Sequence, residues 1–173
     1  MLVAAALAMT VIVVVSNILV QFPVNDWLTW GAFTYPVAFL VTDLANRRLG
    51  PGPARRVVYL GFALAVLTSI VLATPRIALA SGTAFLAAQL LDVSVFDRLR
   101  RGRWWRAPLV SSTVASVLDT ALFFTLAFAG TGLPWIGWGI GDLGVKLAVA
   151  LAMLLPFRAL MGTRDALPAR QAA

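Results

Sequence analysis

Tyr35–Arg48 reads YPVAFLVTDLANRR. It places an aspartate, Asp43, in what otherwise reads as a membrane-spanning helix, and arginines follow at once. QLLDVSVFDR, residues 89–98, repeats the arrangement around Asp92. A third carboxylate, Asp119, sits deep in a later apolar run. An ionisable group in hydrocarbon is costly, so each of these asks for a reason.

The chain has 173 residues, of which 61% are hydrophobic and 12% charged. A soluble domain is about 45–50% apolar and about 25% charged, so this is an integral membrane protein. Apolar residues run on continuously instead of alternating as in barrel strands, over lengths near the roughly 20 residues a crossing helix needs. Open sheet edges are not tolerated in lipid, so the spans are helical. The net charge of +7 does not point to nucleic acid, because the arginines lie in loops between the apolar runs. There is no His and no Cys, which excludes disulfides, haem ligation and the usual zinc sites. No cofactor or metal is expected.

Outward from Tyr35–Arg48, the apolar runs predict six spans: 2–20, 30–46, 57–74, 77–96, 108–129 and 140–157. Met1–Ser16 lacks the basic start and the cleavage site of a secretory signal, so it is read as the first span. Pro36 falls within the first two turns of the second span, where a missing amide costs least. Pro23 breaks the chain after the first span, and Trp27 and Trp30 belong at interface depth. RRLGPGPARR and GTGLPWIGWG read as loops. DRLRRGRWWR carries five arginines and two tryptophans and reads as an anchor to anionic lipid headgroups.

The architecture expected is a compact bundle of six transmembrane helices. It forms one domain over 1–158, with a short disordered tail over 159–173. The loops after the second and fourth spans hold Arg47, Arg48, Arg55, Arg56, Arg98, Arg100, Arg101, Arg103 and Arg106, whereas the other side has Arg76. By the positive-inside rule both termini are cytoplasmic. No Walker-type phosphate loop is present.

The polar residues within the spans are the candidate binding groups. Asp119 lies 13 residues beyond Arg106, roughly 20 Å of helix, and cannot snorkel out. It either faces a cavity, where it binds a donor-rich solute or exchanges a proton, or pairs permanently with Lys146, the sole lysine. Gln89 and Asp92, three residues apart, offer an amide and a carboxylate on one wall; interhelical hydrogen bonding is the plainer role. Asp43 either binds a ligand or pairs with Arg47 one turn on. Asp142 can pair with Lys146 within one helix. Asn17 and Gln21 sit near the outer end of the first span, at an entrance or in contact with water. Tyr35, Phe39, Phe85, Phe96 and Phe123 can stack on a ring or simply pack.

The chain resembles the queuosine precursor transporter family. The matching pieces are SNILVQFP (16–23), FTYPVAFLVTDLANRRLG (33–50), ARRVVY (54–59), FLAAQLLDVSVFDRLR (85–100), WWRAPLVSSTVASVLDTALFF (104–124) and GDLGVKLAVALAMLLPFR (141–158). Each is weak alone; their order and spacing together are specific. Some members carry an acidic residue after the Asp/Asn motif of the second span, where this chain has Arg47 and Arg48. The resemblance implies import of 7-cyano-7-deazaguanine and 7-aminomethyl-7-deazaguanine across the bacterial inner membrane, and no enzymatic activity. Such a cargo offers adjacent NH donors that a carboxylate can accept in two prongs, a carbonyl that wants a donor, and a flat ring that wants an aromatic wall. This implies Asp119 or Asp92 on the donor edge, Gln89 on the carbonyl edge, and Lys146 as donor or counter-ion. Asp43, Asn17 and Tyr35 complete the candidate set.

Three mechanisms stay open on sequence: facilitated diffusion, proton coupling with Asp119 titrating, and a binding subunit served by a separate ATP-driven module. A membrane-embedded enzyme would have to rest on Asp pairs, and the motifs of intramembrane aspartyl proteases are missing. The expected partners are a small molecule and membrane lipid, not nucleic acid; a homo-oligomer is left open.

Overall fold

The computed structural model describes residues 2–19, 22–25, 28–72 and 74–161, without the side chains of residues 17, 23, 29, 65 and 68–72. The expectations for Gln21, Trp27, the Asn17 side chain and the tail beyond Met161 therefore lie outside the described residues.

The chain is helical almost throughout: α1 (Leu2–Leu19), α2 (Gly31–Thr34), α3 (Val37–Leu49), α4 (Pro51–Leu72), α5 (Pro75–Leu99), α6 (Arg106–Phe128) and α7 (Trp135–Met161). Two short antiparallel strands, β1 (Pro23–Asn25) and β2 (Leu28–Thr29), connect α1 to α2. Helices α5, α6 and α7 are each long and apolar enough to cross a membrane, and residues 2–16 form a shorter apolar helix. The protein is a multi-pass membrane protein.

The stretch expected to form the second span is broken. Helix α2 stops at Thr34 and α3 starts at Val37, with Tyr35 and Pro36 between them. Pro36 has no amide to donate backwards, and the chain re-forms its ladder through tighter bonds, Ala38 N to Tyr35 O and Phe39 N to Pro36 O. Instead of sitting harmlessly in a first turn, Pro36 divides the span at the level of Tyr35. Half-helices of this kind recur where transporters bind solutes.

The expected loop RRLGPGPARR is almost wholly helical. Its turn is Gly50 alone, at φ 89° and ψ 175°, a conformation open to glycine. Pro51 and Pro53 then fall in the first turn of α4, where backbone amides have no intrahelical partner to lose. GTGLPWIGWG is likewise shorter as a loop than expected. Gly130 and Gly132, both at positive φ, make the turn, and α7 begins at Trp135. Thr74 caps α5, accepting from the Ile77 amide, with Pro75 at the first helical position.

Helix α3 is the hub. On one side it packs against α1, α4 and α5, on the other against α6 and α7. The larger apolar cluster joins Met9 and Val13 of α1, Ala38 and Ala45 of α3, Val57 and Val58 of α4, and Phe85 and Val93 of α5. Gly61 lets α1 and α4 approach closely: a Cβ there would stand 2.6 Å from Met9 Cγ and 3.3 Å from Phe85 Cζ. Gly61→Val is therefore expected to lower stability by about 1–3 kcal/mol through overpacking. The loss of monodisperse protein on heating in detergent measures this; an unchanged midpoint would contradict the close approach.

The basic ends gather at one end of the bundle. Arg100 donates to the Arg47 carbonyl at 3.1 Å, Arg47 to the Arg100 carbonyl, Arg48 to the Leu160 carbonyl, and the Arg158 guanidinium lies over the Trp104 ring. Arg47, Arg48 and Arg100 thereby satisfy C-terminal carbonyls that helices leave without partners. Arg76 does the same at the far end, bonding the carbonyls of Leu126 and Ala129 at the close of α6.

Candidate functional site

Two buried polar layers cross the bundle. The first lies near mid-helix on α6 and α7. Lys146 Nζ is 2.7 Å from Asp119 Oδ2 and 2.5 Å from Asp142 Oδ2, and donates to Thr120 Oγ1 at 3.2 Å. The Thr120 hydroxyl in turn donates to Asp142 at 2.9 Å. Tyr35, at the break between α2 and α3, brings its hydroxyl to 3.5 Å from Asp119 Oδ1 and its ring to 5.8 Å from Lys146 Nζ. A lone ammonium or carboxylate would not persist here; one lysine shared by two carboxylates holds α6, α7 and the broken span together. Both pairings expected for Lys146 are therefore made at once.

The second layer lies closer to the arginine-rich end. Asp43 Oδ1 accepts from Ser111 at 3.2 Å and its Oδ2 from Ser112 at 3.3 Å. Asp92 of α5 faces Asp43 and Ser111. Thr42 donates to Gln89 Oε1 at 2.6 Å, and Asn46 Nδ2 donates to the Val93 carbonyl at 2.8 Å. The structure turns Asp43 inward to the serines of α6, while Arg47 reaches the carbonyl of Arg100. Asn46 joins α3 to α5 rather than capping its own helix.

A small cavity joins the layers between α3, α6 and α7. Its walls include Phe39, Asp43, Ser112, Ser116, Lys146, Met153 and Phe157. The free space is about 10 Å³, room for about one water. Phe96, Phe157, Ala107 and Met161 form a plug below it, with Trp104 and Leu99 packed around them. The space is too small for a flat heterocycle, which needs α3 to separate from α6 and α7.

Of the sequence candidates, the cavity wall includes Asp43 and Lys146. Asp119 and Tyr35 stand behind Lys146, whereas Gln89 and Asp92 stand behind Asp43 on α5. Tyr35 packs edge-on to Phe85 with ring centroids 6.1 Å apart, which makes Phe85 a packing partner of the site. Several buried polar atoms have no hydrogen-bond partner: Gln89 Nε2, both Asp92 oxygens, Asn46 Oδ1 and Ser116 Oγ. Such orphans are rare in native proteins and mark places where a ligand, water or proton belongs. Sequence reasoning left Thr42, Ser111, Ser112 and Ser116 out of the site. The signal was the small-polar spacing SSTVASVLD, which puts Ser112, Ser116 and Asp119 on one face of α6. Among the described residues, no three His, Cys, Asp or Glu side chains are gathered to hold a metal ion.

The family model described as "Putative vitamin uptake transporter" matches residues 29–74 and 67–161. The chain is 36% identical to the queuosine precursor transporter of Escherichia coli (strain K12) over an alignment 170 positions long that covers 82% of this chain and 77% of that protein. The chain belongs to the queuosine precursor transporter family. A relative in Haemophilus influenzae, named a probable queuosine precursor transporter, is 33% identical over an alignment 186 positions long that covers 84% of this chain and 79% of the relative. Another of that name in Bacillus subtilis (strain 168) is 30% identical over 156 residues, 73% and 68% of the two chains. No solved structure matches the chain. Within a transporter family, buried polar layers flanking a cavity are what a solute site requires: fixed donors and acceptors away from water, with apolar and aromatic walls.

Proposed function

We propose that this protein imports 7-cyano-7-deazaguanine and 7-aminomethyl-7-deazaguanine across a bacterial inner membrane, through six spans with both termini cytoplasmic. The single observation that carries the reading is the cavity between α3, α6 and α7 whose wall holds the buried Asp43 and Lys146. The names of the relatives agree with it, and the arginine-rich end accords with the positive-inside rule.

Asp43 accepts the adjacent ring and exocyclic NH donors of the deazaguanine edge. These replace the protons it accepts from Ser111 and Ser112 and keep a charged acceptor in two strong bonds. Ser116, unpartnered on the cavity wall, and Lys146 donate to the carbonyl edge. Phe39 supplies the aromatic wall, with Tyr35 above it at the helix break. Asp119 and Asp142 hold Lys146 in place. Gln89 and Asp92 form the layer behind Asp43, and Gln89 offers its spare amide protons once α3 moves. Asn17 belongs to the outer approach.

The reading is tested by supplying each precursor to cells that can neither make nor import them. Expression of this chain is expected to restore queuosine in tRNA. Absence of queuosine with the protein present in the membrane sinks the cargo assignment. Purified protein alone in liposomes is then expected to take up the precursor without ATP; uptake only with an added ATP-driven module would make it a binding subunit.

A further inference from the structure

Asp43 and Asp92 are 2% and 0% exposed, on facing helices, with their carboxyls turned to one another. The supply of protons around them falls short. Ser111 and Ser112 each have one hydroxyl proton, and both are directed to Asp43. Ser111 also lies 3.4 Å from the Pro108 carbonyl and beside Asp92, and one proton cannot serve all three. Both oxygens of Asp92 are left without a donor. Two carboxylates in contact cannot hydrogen-bond, because each only accepts; a carboxylic acid and a carboxylate can.

Among the described residues, the cations near this layer are engaged elsewhere or exposed. On α7, Lys146 is bonded to Asp119 and Asp142. Arg47 of α3 and Arg100 of α5 reach each other's carbonyls at the helix ends, and Arg100 also pairs with Asp97. Arg55, Arg56 and Arg106 are exposed, and the described part of α1 carries no charge. Ser116, one turn from Ser112 on the same cavity wall, also lacks a partner, so the cavity that reaches Asp43 has an unfilled polar face.

We propose that Asp43 and Asp92 form a proton-binding site in which one proton, held between the two carboxyls, moves inward with each substrate molecule. The proton sits on Asp92 and is donated to Asp43. Asp43 stays ionised and keeps lone pairs for the donor edge of the substrate. Loading the proton leaves one negative charge in the layer rather than two, which allows the helices to close over the cargo. Release at the inner side returns the proton to water. This places the coupling group on Asp92, whose oxygens have no donor, away from Asp119, which Lys146 and Tyr35 hydrogen-bond. The proposal rests on the import reading above.

The two are separated in liposomes holding the purified protein and a labelled deazaguanine precursor. Exchange of label across the membrane with no gradient tests transport itself. An inside-alkaline pH gradient, with the voltage clamped, tests the proton. Wild-type protein is expected to accumulate substrate several-fold above equilibrium. Asp92→Asn keeps a neutral donor toward Asp43, and is expected to equilibrate substrate with no accumulation while its exchange falls a few-fold at most. Wild-type exchange without accumulation, or accumulation by Asp92→Asn, overturns the proton site. If wild-type protein exchanges neither precursor, the import reading fails. The site is then decided by infrared absorption: a protonated carboxyl band at neutral pH in wild type, lost in Asp92→Asn. If Asp92→Asn does not insert, the wild-type gradient and infrared results decide, and absence of the band overturns the site.

Discussion

Lys146→Met is expected to abolish uptake and to destabilise the protein by about 3–5 kcal/mol, the usual penalty for stripping one partner from a buried pair. Asp119→Asn is expected to insert and fold while losing most of its uptake. The asymmetry comes from counting charges. Lys146 bonds two carboxylates, at 2.7 and 2.5 Å. Without Asp119 it keeps Asp142, one turn away on its own helix, and a neutral pair remains. Without Lys146, two carboxylates are left close together, with the Thr120 hydroxyl on Asp142 at 2.9 Å and the Tyr35 hydroxyl on Asp119 at 3.5 Å as their remaining donors. The Asp142 side chain is 16% exposed against 5% for Asp119, so water relieves Asp142 first and Asp119 bears the larger penalty. The double variant Lys146→Met/Asp119→Asn should therefore be more stable than Lys146→Met alone. Thermal denaturation in detergent ranks the three. Equal stability of Lys146→Met and Asp119→Asn would contradict the shared-lysine account.

Uptake falls in both single variants for different reasons. Lys146→Met removes a cavity-wall donor, whereas Asp119→Asn leaves that donor in place but less firmly held. Asp119 is not part of the cavity wall and reaches it through Lys146, so it acts as a positioning residue. Asp119→Asn should raise the substrate concentration needed for half-maximal uptake more than it lowers the maximal rate. A pure loss of maximal rate would instead make it part of the transport step.

Much of the fold is legible in the sequence because lipid imposes a strong length rule on apolar runs. Tyr35–Arg48 marks α3, and its alternation of apolar residues with Asp43 and Asn46 anticipates a helix with neighbours on several sides. The ends of helices were harder to read. Pro and Gly suggest loops, yet Pro51 and Pro53 fall where α4 needs no amides, so the turn shrinks to Gly50. Pro36 misleads in the opposite direction: it reads as an opening residue and in fact interrupts the span. The site was partly legible. Buried charges are so costly that Asp43, Asp92, Asp119 and Lys146 stand out from composition alone. Which of them meet depends on helix rotation and pairing, and a single sequence does not encode that visibly. Asp43 had Arg47 as a partner along its own helix, but the packing of α3 on α6 offers Ser111 and Ser112. The serines were overlooked because small hydroxyl residues are common in spans, where they also pack helices together.

Asp43→Asn is expected to lower uptake about a hundredfold with little change in stability. Hydrogen bonds to a charged acceptor contribute roughly 1.5–3 kcal/mol each, and a substrate edge with two donors makes two. An amide keeps one acceptor oxygen and presents its NH2 where the second donor arrives, so about 3 kcal/mol is lost, close to a hundredfold in affinity. The folded protein tolerates the change because Asn is nearly isosteric and removes a buried negative charge, and because Ser111 and Ser112 can accept as well as donate. An ion pair with Arg47 would predict something else: Arg47→Gln would then reproduce the defect. Under the present assignment Arg47→Gln weakens the tie between α3 and α5 and leaves the affinity for the substrate near normal. Exchange assays in liposomes separate these outcomes, and they also separate Asp43 from Asp92. Asp43→Asn removes the acceptor that meets the cargo, so exchange and accumulation fall together. Asp92→Asn removes the proton alone, so accumulation is lost while exchange persists. If the two variants behaved alike, the carboxyls would be acting as one unit, and the division of substrate and proton between them would have to be abandoned.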